Sequence, residues 1–480
     1  MGVSFCFNGR VKSSLIMNKK YLLFLSFVTL CGGFVFGGTG QLADRTRGAE
    51  KSSGPAALAQ NRIDGVKLEL EVDRPILPAS SEETVILKIA LNSVARPSSY
   101  RTPLNLALVI DRSGSMAGDK LRQAKLAAHE AIDRLAADDV VSLVVYGTEA
   151  VVLRPASEVG DGRSLHRAID RISTNGNTNL FGGVELAARE LRERLRQDFV
   201  HRVILLSDGL ANVGPSTPRE LGGLGRELRA EGMTVSTLGL GLGYNEDLMA
   251  ALARRSDGNT YFVENSADLP YVFATEFGDA INVVARELVV EITFPEGVTP
   301  VRIVGRDGKV RAQQVKIEIN QLYGGREQFA LIEVHVEPGR RGESRKLAQA
   351  WLSYREEANA PRVRIGGDLQ IGFTDEMKMV RESANHQVQT DYSLNRLAEV
   401  KERVIELHDA GREEDARREL SSLASVQREM SVRYSNAAVG ALAEQVDEEA
   451  ELLRARGLDN AARKSYRADS LQISRQQKRD

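Results

Sequence analysis

The apolar run from Leu104 to Ile110 constrains the fold of this chain more than any other feature. A strand that is apolar on both faces is typical of a parallel sheet with helices packed on each side. Up to Val284, similar strands alternate with segments whose apolar residues recur every three to four positions. This alternation predicts a doubly wound, Rossmann-like α/β sheet with right-handed crossovers.

The segments on either side of this region have the pattern of antiparallel strands. Residues 66–72 and 85–91 alternate apolar and polar side chains, and several similar strands separated by Gly/Pro turns follow the α/β region. We therefore expect one all-β sandwich into which the α/β domain is inserted. From Asp375 onward the apolar spacing is helical and is interrupted at Gly411, which predicts a helical hairpin, a further helix and a polar, basic tail.

These patterns divide the chain into six predicted segments. They are a signal peptide or signal anchor over 1–40, a flexible leader over 41–62, β-sandwich parts over 63–102 and 285–374, the α/β domain over 103–284 and the helical region over 375–480.

The first 40 residues contain the features of a targeting segment. Asn18-Lys19-Lys20 precedes an apolar stretch over 21–36, and small residues follow at 37–40. A cleavable signal peptide is the preferred interpretation; an uncleaved anchor is the alternative, and only in that case do we expect membrane contact. Cys6 and Cys31 both lie in or before this stretch, so the cleaved protein would contain no disulfide. We expect an exported bacterial protein that is periplasmic, at the cell surface or secreted.

Composition and motifs argue against several classes of function. The net charge of −2 and the 5% aromatic content do not favour nucleic-acid binding. The glycines of residues 239–243 follow a strand, but their spacing is not that of a dinucleotide-binding loop. None of the six histidines stands in a His-Glu-x-x-His motif, and no nucleophile elbow or phosphate-binding lysine is evident. We therefore predict a protein that is not an enzyme and binds neither nucleotide nor nucleic acid.

The loop that begins at Asp111 has the chemistry of a cation site. Asp111, Ser113 and Ser115 are spaced two apart, so they can share a face where the strand opens into its loop. Mg²⁺ prefers oxygen ligands, and open α/β sheets bind ligands at the carboxyl ends of their strands.

The α/β segment resembles the von Willebrand factor type A domain, over about residues 103–284. The metal-ion-dependent adhesion site of that family combines an Asp-x-Ser-x-Ser loop with a separate Thr and a separate Asp. The resemblance implies that Asp111, Ser113, Ser115, Thr178 and Asp208 hold a divalent cation, with Thr174 as the alternative to Thr178. The expected ion is Mg²⁺, and Ca²⁺ and Mn²⁺ are the alternatives.

The resemblance also implies a function. In the family, the cation binds an Asp or Glu carboxylate of a protein partner, so we expect an exported, metal-dependent module for protein interaction or adhesion. A looser resemblance, carried by residues 244–249 and 322–325, is to secreted bacterial proteins related to the calcium-activated chloride channel group. It suggests the alternative of an accessory subunit in a membrane transport or channel-like complex.

Overall fold

The computed structural model describes residues 61–63, 65–93, 101–196, 198–280, 282–357 and 359–479. The predicted targeting segment and nearly all of the predicted leader lie outside these residues. Among the described residues, no helix is long and apolar enough to cross a membrane.

Within the described residues, four strands precede the α/β domain. They are β1 (Asn61–Ile63), β2 (Val66–Val72), β3 (Ile76–Pro78) and β4 (Glu83–Ser93).

The α/β domain is a six-stranded sheet with three helices on each face. Its strands are β5 (Leu104–Asp111), β6 (Val140–Tyr146), β7 (Ala150–Glu158), β8 (Val200–Ser207), β9 (Met233–Leu240) and β10 (Thr260–Val263). The helices are α1 (Asp119–Asp133), α2 (Arg163–Asp170), α3 (Leu180–Glu193), α4 (Pro218–Ala230), α5 (Glu246–Arg255) and α6 (Leu269–Ala280). The strand order is β10-β9-β8-β5-β6-β7, and all pairs are parallel except β6 with the edge strand β7.

The pattern of β5 explains why this strand is central. Leu106 and Leu108 pack in the core formed with α1, α2 and α6, whereas Ala107 and Val109 pack in the core formed with α3, α4 and α5. Every residue of β5 is buried. The α/β sheet predicted for this region is therefore confirmed, and it is mixed because the edge strand β7 is antiparallel to β6.

Seven further strands follow the α/β domain and one closes the chain. They are β11 (Val283–Thr293), β12 (Val298–Val304), β13 (Lys309–Arg311), β14 (Gln314–Tyr323), β15 (Arg326–Val336), β16 (Ser344–Arg355), β17 (Val363–Thr374) and β18 (Gln477–Arg479). One flanking sheet has the order β1-β2-β4-β15-β12, with β18 paired to β15. The other has the order β13-β14-β11-β16-β17-β3. Leu68 and Leu87 of the first sheet and Leu352 and Ile371 of the second belong to one buried cluster.

The C-terminal region is helical. Its helices are α7 (Met377–Glu382), α8 (His386–Asp409), α9 (Glu413–Tyr434), α10 (Ala437–Arg456) and α11 (Asn460–Ser474). The prediction of a basic tail is wrong, because the last residues form α11 and β18. Tyr466 and Leu471 of α11 are buried. In this polar segment, a few apolar residues at helical spacing determine the structure more than the overall composition does.

One predicted boundary lies too late. The α/β domain expected over 103–284 extends past its last helix, because α6 ends at Ala280 and Val283 already belongs to β11. β-branched residues at 283 and 284 fit a strand better than a helix, and both are buried there.

Candidate metal centre

Asp111 ends β5 with its carboxylate fixed inside the protein. The side chain is fully buried. Its Oδ1 accepts a hydrogen bond from the backbone N–H of Ser113 at 2.8 Å, and its Oδ2 accepts one from the Ser207 hydroxyl at 2.9 Å. Because a carboxylate has four lone-pair positions, Asp111 organises the loop and retains acceptor capacity for a further partner.

Ser113 and Ser115 follow in a tight turn. A 3-10 turn over Gly114–Met116 brings the two Oγ atoms within 3.1 Å of each other, and the buried side chain of Met116 anchors the turn. Ser113 is buried and Ser115 is exposed. The first loop thus presents one hydroxyl inside and one at the surface.

The loop that carries Thr178 is held against the first loop by backbone hydrogen bonds. Asn175 N–H donates to the carbonyl of Arg112 at 2.6 Å, and Gly114 N–H donates to the carbonyl of Gly176 at 3.1 Å. Gly176 has φ +78°, a conformation that favours glycine. These bonds fix the distance between the two loops.

Thr178, and not Thr174, faces the site. Thr178 is 4% exposed, and its backbone N–H donates to Asn212 Oδ1 at 2.9 Å. Thr174 is exposed. The loop therefore brings Thr178, the residue that matches the motif, to the site and leaves Thr174 at the surface.

Asp208 reaches the same edge because β8 lies beside β5 in parallel register, with Leu206 opposite Ile110. Its carboxylate is buried, and its Oδ1 accepts a hydrogen bond from Ser115 Oγ at 2.7 Å. Its Oδ2 accepts a charged hydrogen bond from the ammonium group of Lys120. A positive group therefore already occupies one side of this carboxylate.

Gly209 shows that three hydroxyls surround one point. A methyl carbon placed on Gly209 would lie 3.2 Å from Ser115 Oγ, 3.3 Å from Thr178 Oγ1 and 4.0 Å from Ser113 Oγ. We call this space the cradle. The absence of a side chain at Gly209 keeps it open.

The charges of the site are incompletely balanced inside the protein. Burial raises the pKa of Asp111, hydrogen bonds from Ser113 and Ser207 partly offset that rise, and the charge of Asp208 adds to it. Burial and the nearby Asp111 also raise the pKa of Tyr146, which donates its hydroxyl proton to the carbonyl of Leu206 at 3.0 Å. Two buried carboxylates therefore lie close together at this edge, and Lys120 pairs with one of them.

The donor set fits a hard divalent cation. It contains only oxygen ligands, of which two are carboxylates and three are hydroxyls, as Mg²⁺ prefers. In the part of the chain that the structure describes, no three His, Cys, Asp or Glu side chains are grouped to hold a metal. A centre here therefore depends on hydroxyl ligands, which a search for acidic or thiolate clusters does not detect.

The structure brings all five predicted residues to one edge of the sheet, and it adds residues that sequence reasoning missed. The Ser207 hydroxyl holds the Asp111 carboxylate, and the Asn212 side chain holds the backbone N–H of Thr178. Gly209 leaves the cradle open, and Lys120 pairs with Asp208. A signal for Lys120 exists in the sequence: a cation in the first turn of a helix opposes the helix dipole, so it is stable there when an anion lies close by.

The comparisons with known proteins identify the α/β domain. Residues 105–275 match the family model of the von Willebrand factor type A domain. The human inter-alpha-trypsin inhibitor heavy chain H4 is 31% identical over 40% of this chain and 21% of its own length. The Escherichia coli protein YfbK is 27% identical over 50% of this chain and 41% of its own length. The chain thus spans less than half the length of these curated relatives.

Solved structures share the fold well beyond the α/β domain. A von Willebrand factor type A protein from Catenulispora acidiphila has a TM-score of 0.63 at 16% identity, covering 88% of this chain and 100% of its own. The ArnB paralog VWA2 from Sulfolobus acidocaldarius has a TM-score of 0.54 at 17% identity, covering 85% of this chain and 98% of its own. At these identities the likeness describes the fold alone.

Proposed function

We propose that the von Willebrand factor type A domain of this chain binds a protein partner through a divalent cation held by Asp111, Ser113, Ser115, Thr178 and Asp208. The observation that carries the proposal is the convergence of three hydroxyls on the cradle, beside two buried carboxylates. Domains of this family mediate protein–protein interaction, often in a metal-dependent way.

The ligand types account for the chemistry. Hydroxyl oxygens are neutral, so they bind a cation without cancelling its charge, and the two carboxylates provide electrostatic attachment. A bound cation supplies a Lewis-acidic position that is open to an Asp or Glu carboxylate of the partner. Mg²⁺ is the proposed ion because all ligands are hard oxygens.

Apolar residues at the rim support a protein as the partner. Leu210 follows Gly209 directly and is 60% exposed. Leu242, which is 51% exposed, precedes Gly243, and a methyl carbon on Gly243 would lie 2.7 Å from the carbonyl oxygen of Asp208. Exposed apolar side chains that lie together are typical of protein contact surfaces, and these two lie at the edge that carries Asp208.

The setting of the domain is part of the proposal. We propose that the two flanking sheets form a β-sandwich that carries the inserted α/β domain, because strands from before and after that domain share one core. We also propose export from a bacterial cell, on the basis of the charged and apolar residues at 18–36.

Calorimetric titration of the purified protein with Mg²⁺ tests the centre. We expect saturable binding in the wild type and its loss in Asp111→Ala and Ser113→Ala. Asp161→Ala, which removes an exposed loop carboxylate paired with Arg163, is the matched control and should bind like the wild type. Unchanged Mg²⁺ binding in Asp111→Ala would refute the proposed centre.

Capture of partners tests the function. The protein is incubated with extracellular proteins of its source in Mg²⁺ and in EDTA, and the proteins lost in EDTA are identified. We expect at least one partner that is lost both with EDTA and with Asp111→Ala. A set of bound proteins that neither treatment alters would refute metal-dependent recognition.

A further inference from the structure

Two histidines that are far apart in the sequence meet end to end on the surface of the α/β domain. His129 of α1 and His166 of α2 have their Nδ1 atoms 2.7 Å apart. Their ring centroids lie 4.9 Å apart and their planes differ by 16°. A centroid distance much longer than the Nδ1–Nδ1 distance, with nearly parallel planes, means that the rings meet edge to edge and not face to face.

The outer nitrogen of each ring faces a carboxylate. His129 Nε2 lies 3.0 Å from Asp170 Oδ1, and His166 Nε2 lies 3.1 Å from Asp133 Oδ1. Each carboxylate accepts a hydrogen bond, so these partners assign a proton to each Nε2. In a neutral imidazole with a protonated Nε2, the Nδ1 atom carries a lone pair. When both rings are in this form, two lone pairs point at each other across 2.7 Å, so the contact calls for a cation between them, either a proton or a metal ion.

We propose that His129 and His166 form a binding site for a borderline transition-metal ion such as Zn²⁺ or Cu²⁺. Imidazole nitrogen suits these ions, whereas Mg²⁺ prefers oxygen. Metal-binding histidines commonly donate their second ring N–H to a carboxylate, which orients the ring and makes the ligand more basic. Asp170 and Asp133 occupy those positions for both rings, so the outer partners of a metal site are already in place.

The spacing permits metal binding after a small movement. Zn–N bonds of about 2.0–2.1 Å in a tetrahedral arrangement separate two ligand nitrogens by about 3.3 Å. The rings need to open from 2.7 Å by roughly 0.6 Å. The side chains of His129 and His166 are 24% and 29% exposed, so solvent reaches the pair and water molecules can complete the coordination. The protein contributes two ligands, which agrees with the lack of any larger His, Cys, Asp or Glu group among the described residues.

This site is separate from the candidate metal centre and does not rest on the proposed function. His129 lies nine residues after Lys120 on α1, which corresponds to about 14 Å along a helix. The two sites also differ in ligand type, so each is expected to select a different ion.

Titration with Cu²⁺ and Zn²⁺ tests the proposal. Calorimetry gives the number and affinity of the bound ions, and electron paramagnetic resonance of the Cu²⁺ form reports nitrogen ligands. We expect His129→Ala and His166→Ala each to remove one bound Cu²⁺ and its nitrogen coupling. Asp170→Asn should weaken binding by about 10-fold, because it removes the outer carboxylate while leaving the ligands.

Three controls separate this site from others and from unfolding. His386→Ala removes an exposed histidine whose ring contacts Tyr434, and it should retain the ion. Asp111→Ala should also retain it, which distinguishes this proposal from the candidate metal centre. Circular dichroism checks that each variant is folded. If the two histidine variants bind the same number of Cu²⁺ and Zn²⁺ ions as the wild type, or if folded wild type shows no nitrogen-coupled Cu²⁺, the pair only shares a proton and the proposal is overturned.

Discussion

At the scale of single residues, the candidate centre depends on an atom that is missing from Gly209. The three hydroxyls lie within 4.0 Å of the position that a Cβ atom would take there. A methyl group in that position competes with a cation for the same space, although alanine is otherwise the smallest possible change.

Gly209→Ala should therefore abolish or strongly weaken Mg²⁺ binding while the protein stays folded. We expect at least about a 10-fold loss in affinity by calorimetry, equivalent to about 1.4 kcal/mol. Gly223→Ala in α4 is the matched control, because a methyl group there meets no atom within 4 Å. The control should bind Mg²⁺ normally and gain about 0.5–1 kcal/mol of stability from its better helix propensity. Equal Mg²⁺ affinity in both variants would show that the cradle is not the binding position.

Lys120→Gln should have the opposite effect on metal affinity. The Lys120 ammonium is paired with Asp208, so it competes with a cation for that carboxylate and repels the cation nearby. Its removal should raise Mg²⁺ affinity by about 10-fold, a gain of about 1.4 kcal/mol, and lower the stability of the metal-free protein. Thermal unfolding with and without Mg²⁺ measures both effects. A variant that binds Mg²⁺ more weakly than the wild type would show that Lys120 supports binding.

The residue scale also shows the limit of sequence reasoning. Asp111, Ser113 and Ser115 could be found because they are close together and follow a recognisable strand. For Lys120 the sequence indicates only its place in the first turn of a helix, and its pairing with Asp208 depends on the distance between the loops from β5 and β8. The role of Gly209 depends on the space between the hydroxyls, which the sequence does not reveal. His129 and His166 were missed for the same reason: 37 residues separate them, and only the packing of α1 against α2 brings them together.

At the scale of elements, a buried arginine that is ion-paired within the α/β domain also hydrogen-bonds to one flanking sheet. Arg202 of β8 pairs with Glu276 of α6, and its Nη2 donates to the hydroxyl of Tyr323 in β14 at 2.7 Å. Burial alone would raise the pKa of Glu276, but Arg202 and hydrogen bonds from Ser236 and Asn259 hold it below its ordinary value. A carboxyl with a lowered pKa stabilises the folded state above the pKa of the unfolded chain, and this stabilisation is lost as the pH falls through the folded-state pKa.

Glu276→Gln should cost about 3 kcal/mol at neutral pH, because it removes the buried negative charge opposite Arg202. The variant should also lose less stability than the wild type as the pH falls below about 4.3, the ordinary pKa of a glutamate. Urea denaturation between pH 7 and pH 3 measures both effects. Glu193→Gln, at the exposed end of α3, controls for the loss of a surface charge. Identical pH dependence in wild type and Glu276→Gln would contradict this assignment.

The elements themselves were predictable to different degrees. The strands and helices from β5 to α6 follow directly from apolar runs and helical spacing, since both faces of their sheet are covered. The end of the α/β domain was predicted too late, because the local sequence at 283–284 does not reveal that β11 already pairs with β14 there. The last helix and strand were predicted as a tail, because Lys464 and its neighbours are polar and their partners lie more than 200 residues earlier.

At the scale of the whole molecule, the C-terminal segment ties three regions together. Lys464 of α11 donates to the carbonyl of Tyr244 at 2.6 Å and pairs with Glu246 at the start of α5. Gln476 donates to the carbonyl of Val304 in β12 at 2.7 Å and to Asn395 of α8 at 3.0 Å. One segment of the chain thus contacts the α/β domain, a flanking sheet and the C-terminal helices.

Lys464→Met should therefore lower the free energy of unfolding of the protein. Lys464 is 4% exposed and Glu246 is 8% exposed, and removal of one member of a buried pair costs about 3–5 kcal/mol. Arg463 still pairs with Glu246, so we expect a smaller loss of about 2 kcal/mol. Urea denaturation measures it, with Lys378→Met as the control because the Lys378–Glu382 pair is 78% and 65% exposed and should contribute about 0–1 kcal/mol.

Deletion of residues 458–480 removes all the contacts of α11 and β18 at once, where the Lys464 variant removes one ion pair. No described residue of α11 or β18 belongs to the two cores of the α/β domain or to the core shared by the flanking sheets, so these regions can retain structure when α11 and β18 are gone. We expect the full chain to unfold in one cooperative transition and the truncated chain in two, with the first midpoint at lower urea concentration. Circular dichroism and tryptophan fluorescence distinguish the two, because the single Trp351 lies in β16 of a flanking sheet and reports only on that region. If both signals still change together at the wild-type midpoint, the C-terminal segment does not couple the regions, and the contacts of Arg202 with Glu276 and Tyr323 are sufficient to do so.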